Sequence, residues 1–98
     1  MEKSKFLEIL RKLSKKGYYE ILLFVKDRRE AHYSEVLGYV TKNKLARSDA
    51  TVTQALNALT TLGLFRRRIS QERPIRTTYE LTKEGEEFVR HLTDLQRL

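Results

Sequence analysis

Ninety-eight residues, 40% of them apolar, suffice for one modest hydrophobic core and are too few for two. No apolar run approaches the ~20 residues of a membrane span, the start MEKSKFLEIL lacks the layout of a signal peptide, and a cytoplasmic location is the expectation. Without cysteine, disulfides, thiolate metal sites and thiol redox chemistry are excluded.

The net charge of +7 is unevenly spread. Residues 2–16 carry six Lys or Arg against two Glu, residues 42–47 carry three bases and no acid, and residues 64–81 carry five Arg against two Glu. From 82 to 98 the balance is −1. Such segregation suits nucleic-acid phosphates, because each contact releases condensed counterions, although basicity alone is equally a route to solubility.

The first expected helix runs from Lys3 to Lys15, with Phe6, Ile9, Leu10 and Leu13 at helical spacing and Gly17 breaking it. A second, Tyr18 to about Asp27, is apolar on most sides. The stretch DRREAHY reads as polar and extended, after which Ser34 caps a short helix through about Thr41 with Val36, Leu37 and Val40 inward. TKNKLAR makes a turn into a helix capped by Ser48 and ended by Gly63, with Asp49 suited to its positive end. LFRRRIS and IRTTYEL read as two strands around a loop of roughly five residues, with Pro74 at its tip or on an edge. Thr82 caps the last helix, whose stripe is Phe88, Leu92 and Leu95.

At about 100° per residue, Val52, Ala55, Leu56 and Leu59 share the core face of the 48–62 helix. Ala50, Gln54, Asn57 and Thr61, flanked by Thr53, form an outer face without charge. Amides pair bidentately with adenine in a major groove and Thr methyls meet thymine methyls, so Gln54, Asn57 and Thr53, with Ser48 and Thr51 at the helix start, are candidate base and groove contacts. Amide-rich faces also occur as plain surface. Lys42, Lys44 and Arg47, just ahead of the helix, are candidate phosphate contacts, or else a solvated loop.

If Gln71 to Arg73 centre the loop, Phe65 faces Tyr79 and Ile69 faces Ile75, while Leu64, Arg66, Arg68, Arg76, Thr78 and Glu80 share the other side. Arg68 is then opposite Arg76, a like-charge pair whose neutralisation would leave stability unchanged or raised. A bound anion between them would resolve the clash: DNA phosphate, or the negative potential of a narrow minor groove that Arg73 would enter. The competing reading is a charged strand edge that discourages aggregation.

Catalytic chemistry is hard to find. His32 and His91 lack metal-ligand spacing, there is no Gly-rich phosphate loop, and Glu86 and Glu87 read as a solvated helix surface. Neither an enzyme, a metal nor a cofactor is expected. Tyr18, Tyr19, Tyr33, Tyr39 and His32 read as core packing before they read as the lining of an effector cavity, and no effector is assigned.

The order helix, helix, extended link, helix, helix, hairpin, helix describes a winged helix-turn-helix: mainly α with a small β-hairpin (α+β), extended by N- and C-terminal helices. GLFRRRISQERPIRTTYELTKEGEEF resembles the wing and exit of MarR-like and especially HxlR-type regulators of bacteria and archaea, which run Gly-Leu, a basic strand, a Pro-containing wing, then Tyr79-x-Leu81-Thr82-x-x-Gly85. The resemblance covers about residues 18–90 and an archaeal source is the expectation. The chain departs from HxlR-type proteins in lacking an N-terminal cysteine and a tryptophan in the second helix, which leaves redox sensing without a basis.

The stripes Phe6/Ile9/Leu10/Leu13 and Phe88/Leu92/Leu95 lie on terminal helices (about 3–15 and 83–97) outside the minimal winged helix. Packing against a second copy would give an isologous dimer, as the resemblance also implies; packing on each other within one chain is the alternative. The expected function is sequence-specific binding of double-stranded DNA by a homodimeric transcriptional regulator. An architectural or RNA-binding winged helix and a protein-interaction module are the rivals.

Overall fold

A computed structural model describes residues 1–98, and breaks in the sequence pattern divide them into five helices and three short strands: α1 (Lys3–Leu13), α2 (Tyr18–Arg28), β1 (Glu30–His32), α3 (Tyr33–Lys42), α4 (Asp49–Thr61), β2 (Phe65–Ile69), β3 (Thr77–Leu81) and α5 (Lys83–Gln96). No helix is long and apolar enough to cross a membrane. α1 stops two residues before the expected Lys15, because its last turn tightens: the Ser14 hydroxyl donates to the Arg11 carbonyl (2.7 Å) and the Lys15 N–H to the Lys12 carbonyl (3.1 Å). Gly17, at φ +87°, then turns the chain into α2.

The core is shared by every helix. Ile9, Ile21, Leu22, Val25, Val36, Val40, Val52, Leu56, Leu59, Leu64 and Val89 are all at most 1% exposed, each contributing roughly 1.5–3 kcal/mol through burial. Val52, Ala55, Leu56 and Leu59 are the buried residues of α4, as its periodicity predicts.

Two helix starts follow the sequence reading and one does not. Ser48 caps α4, accepting the Thr51 N–H (3.4 Å), and Thr82 caps α5, accepting the Gly85 N–H (3.0 Å). Ser34, however, lies inside α3; the N-cap is His32, where the chain is still extended from pairing in β1. The Glu35 carboxylate accepts the His32 backbone N–H (2.8 Å) and pairs with Arg28, and this hydrogen bond, assisted by the guanidinium, holds its carboxyl below the usual range.

The hairpin is not alone. Glu30–His32 adds a third strand, giving an antiparallel sheet in the order β1-β3-β2. Only these three residues of DRREAHY form it, the stretch before them completing α2. Pairing in the hairpin runs Phe65–Leu81, Arg66–Glu80, Arg67–Tyr79, Arg68–Thr78 and Ile69–Thr77, so the connection spans seven residues and not five. The expected pairings of Phe65 with Tyr79, Ile69 with Ile75 and Arg68 with Arg76 are therefore corrected by two residues.

The physical reason lies at the end away from the loop. The Thr82 N–H and hydroxyl donate to the carbonyls of Leu64 (3.0 Å) and Gly63 (2.5 Å), and the first turn of α5 presses against Leu64: a Cβ on Gly85 would stand 2.2 Å from the Leu64 carbonyl oxygen. These contacts give the Leu81-Thr82-x-x-Gly85 motif its meaning. They clamp the strand ends, and the proline loop takes up the remaining residues. Because the slip is two residues, the side chains within β2 and β3 keep their expected faces.

Candidate nucleic-acid interface

The uncharged face of α4 is solvent-exposed. Ala50, Thr53, Gln54, Asn57 and Thr61 are all exposed while the opposite face is core. α3 and α4 form the helix-turn-helix pair, joined by a turn in which Lys44 takes a left-handed conformation (φ +54°). Half-buried Leu45 and Ala46 anchor this turn against the core, leaving Lys42, Lys44 and Arg47 exposed around the start of α4. Lys44 and Arg47 border a common hollow with Ser48. The Thr53 hydroxyl is 2.9 Å from that of Tyr33, which ties the flank of the exposed face to the start of α3. Such a face offers side-chain amides and methyls to base edges, and one well-formed bidentate pair is worth about 1–3 kcal/mol of discrimination.

The hairpin divides into two electrostatic regions. In its stem, Glu30 and Glu80 are direct partners across β1 and β3, a like-charge pair that is unfavourable by itself. Arg68 lies between them, with Nη2 2.7 Å from Glu30 and Nε 3.4 Å from Glu80, and Arg66 Nε adds a 2.9 Å contact to Glu80. The expected pairing of Arg68 with Arg76 is overturned, and with it the clash that called for an anion between them: Arg68 faces Thr78 and pairs with two glutamates of the sheet. In the loop, Arg73 and Arg76 are exposed and meet no carboxylate within 4.0 Å; Arg67, between the two paired arginines of β2, is likewise exposed and unpaired.

Unpaired cations concentrate in three segments of the chain. Lys5, Arg11, Lys12, Lys26, Arg28, Arg66, Arg68 and Arg97 each have a carboxylate partner. Lys15, Lys16, Lys42, Lys44, Arg47, Arg67, Arg73 and Arg76 have none and belong to the α1–α2 turn, the α3–α4 turn and the hairpin, whereas only Lys3, Arg29, Lys83 and Arg90 are unpaired elsewhere. Sequence reasoning passed over Arg67, Lys15 and Lys16. The signal for the lysines is SKKG, two bases with no acid beside a glycine.

A family model, the HxlR-like helix-turn-helix, matches residues 13–98. The chain belongs to this family. Among solved structures it is similar to a MarR-family transcriptional regulator from Enterococcus faecalis V583, with a TM-score of 0.79 and 19% identity over 99% of this chain and 84% of that one. It is also similar to the reduced form of the transcriptional regulator YodB from B. subtilis (TM-score 0.76, 20% identity, 99% and 90% covered). A transcriptional regulator homologue from Pyrococcus horikoshii OT3 has a TM-score of 0.70 and 24% identity, with 96% and 92% covered. The shared fold is the winged helix. No curated protein matches the chain.

In this HxlR-like chain the terminal helices pack on each other, Phe6 and Phe88 meeting with ring centroids 6.0 Å apart. Of the residues expected at an interface between copies, Ile9 is fully buried in its own core, which removes it from the free surface, and Phe88 is 8% exposed. Leu13 and Leu92 are half-buried, while Phe6, Leu10 and Leu95 stay exposed, the last at 62%. Met1, Phe6, Leu10, Phe88, Leu92 and Leu95 border one shallow, mostly apolar groove. The tyrosines of the HxlR-like chain are dispersed: Tyr18 is core, Tyr39 stacks on Phe24 (4.4 Å), and Tyr19 donates to Gln96 (2.6 Å). His32 Nδ1 bonds the Thr78 hydroxyl (2.9 Å).

Proposed function

We propose that this chain binds double-stranded DNA sequence-specifically as a homodimer and regulates transcription in the cytoplasm, with α4 in the major groove and the β2–β3 hairpin as the wing. One observation carries the reading: α4 exposes an uncharged face of amides and hydroxyls, and the cations of the turn ahead of it and of the hairpin loop have no carboxylate partner. Gln54 and Asn57 read bases, with Thr53 and Thr51 beside them. Ser48 and its neighbours Lys42, Lys44 and Arg47 meet the flanking phosphates, and Arg73 and Arg76 extend the contact along the backbone or into the minor groove. The similarity to solved structures of transcriptional regulators supports the assignment.

Selection of bound duplexes from random DNA at stated salt is the direct test. A preferred, two-fold symmetric site is expected, and Asn57→Ala should cost about 1–3 kcal/mol on it while barely changing affinity for random duplex. Equal affinity for all sequences would sink the specific reading.

The second copy in this proposal covers the groove between α1 and α5, where Phe6, Leu10, Leu92 and Leu95 supply the apolar contact of an isologous interface. Wild-type protein should sediment as a dimer at micromolar concentration, and Leu10→Lys with Leu95→Lys should give folded monomers with weaker DNA binding. A monomeric wild type would contradict this part.

A further inference from the structure

The turn between α1 and α2 is fixed against the turn that leads into α4. Gly17 sits so close to it that a Cβ would stand 2.6 Å from the Leu45 carbonyl oxygen. Tyr18, the next residue, is buried, and the Lys15 ammonium lies 5.9 Å from the centre of its ring. Lys15 and Lys16 are thereby held, exposed, beside a hollow they share with Arg47, Thr51 and Gln54. A different hollow, bordered by Lys44, Arg47, Ser48 and Asp49, adjoins α4 on another side of its axis, and Arg47 stands between the two. With about 100° of rotation per residue, Gln54 points roughly 140° away from Asp49 and roughly 160° away from Val52.

We propose that Lys15 and Lys16 form a second phosphate-binding point, which grips the DNA backbone on the Thr51/Gln54 side of α4 while Lys44 grips it on the other. The inference rests on α4 being the groove helix. A helix seated in a major groove has a phosphate strand on each side, and a clamp needs cations on both. Neither lysine has a carboxylate to leave, so no internal ion pair is broken on binding. Both act through the backbone, so they add affinity without choosing sequence.

The test is a salt titration of duplex binding with wild type, Lys15→Gln/Lys16→Gln, Lys15→Arg/Lys16→Arg, and a control, Lys3→Gln/Lys83→Gln. The control removes the same charge near the far end of α4, about 20 Å from its start, since Lys5 and Glu84 flank Gly63 there. The glutamine pair should flatten the slope of log affinity against log salt by ~0.9 per lysine and weaken preferred and random duplexes equally. The arginine pair should keep the wild-type slope, and the control should barely change it. Wild-type behaviour of the glutamine pair, an equal loss in the control, or a loss in the arginine pair as large as in the glutamine pair would overturn the clamp alone. A wild type without affinity for duplex DNA would overturn both the clamp and the function it rests on.

Discussion

The stem and the tip of the hairpin carry the same residue, arginine, in opposite circumstances. Arg66 and Arg68 in the stem are met by Glu80 and Glu30, whereas Arg73 and Arg76 in the loop are met by no carboxylate. The stem arginines balance a glutamate pair set face to face by the strand register. A phosphate approaching Arg68 must compete with a carboxylate at 2.7 Å; one approaching Arg73 competes only with water. Basic composition therefore overstates the charge a partner can use, and ion pairing shows where the usable charge lies.

If the stem is structural, its variants should show in stability. The largest effect is expected from Gly85→Ala, which drives a Cβ into the Leu64 carbonyl and forces α5 away from the strand ends that it clamps. A loss of about 1–3 kcal/mol or more is expected, seen as a fall of roughly 4–8 °C in melting temperature per kcal/mol. An unchanged melt would show that the clamp does not hold the stem. Arg68→Gln comes next. It leaves Glu30 and Glu80 facing each other, and for groups this exposed the cost should be only about 0.2–1 kcal/mol. The sign is the discriminating feature, because an arginine facing another arginine would be neutral or favourable to remove. A melt equal to or above wild type would contradict the network.

Much of the fold is legible from local signals. Ser48, Gly63 and Thr82 bound their helices as expected, and the four-residue apolar stripe of α4 separates core from exposed face correctly. What was not legible depends on partners distant in the chain. Glu30 is 38 residues from Arg68 and lies in a strand of three residues with one buried side chain, too short to show alternation. Pro74 is conspicuous in the loop, but the register is held at the Thr82 end by contacts to Gly63 and Leu64. The stripe of α1 is visible in the sequence, but periodicity cannot say whether Ile9 turns to its own core or to a second copy; packing decides it. Lys15 and Lys16 are adjacent to Gln54 only because Gly17 lets one turn close on another.

The contrast between stem and tip is tested most directly by the salt dependence of duplex binding in two double variants, Arg66→Gln/Arg68→Gln and Arg73→Gln/Arg76→Gln. Neutralising the tip should weaken binding to every duplex and flatten the slope of log affinity against log salt by ~0.9 for each lost phosphate contact. Neutralising the stem should lower the melting temperature and leave that slope near its wild-type value. A slope flattened as much by the stem pair as by the tip pair would contradict the division, and would mean that the glutamates release their arginines to DNA.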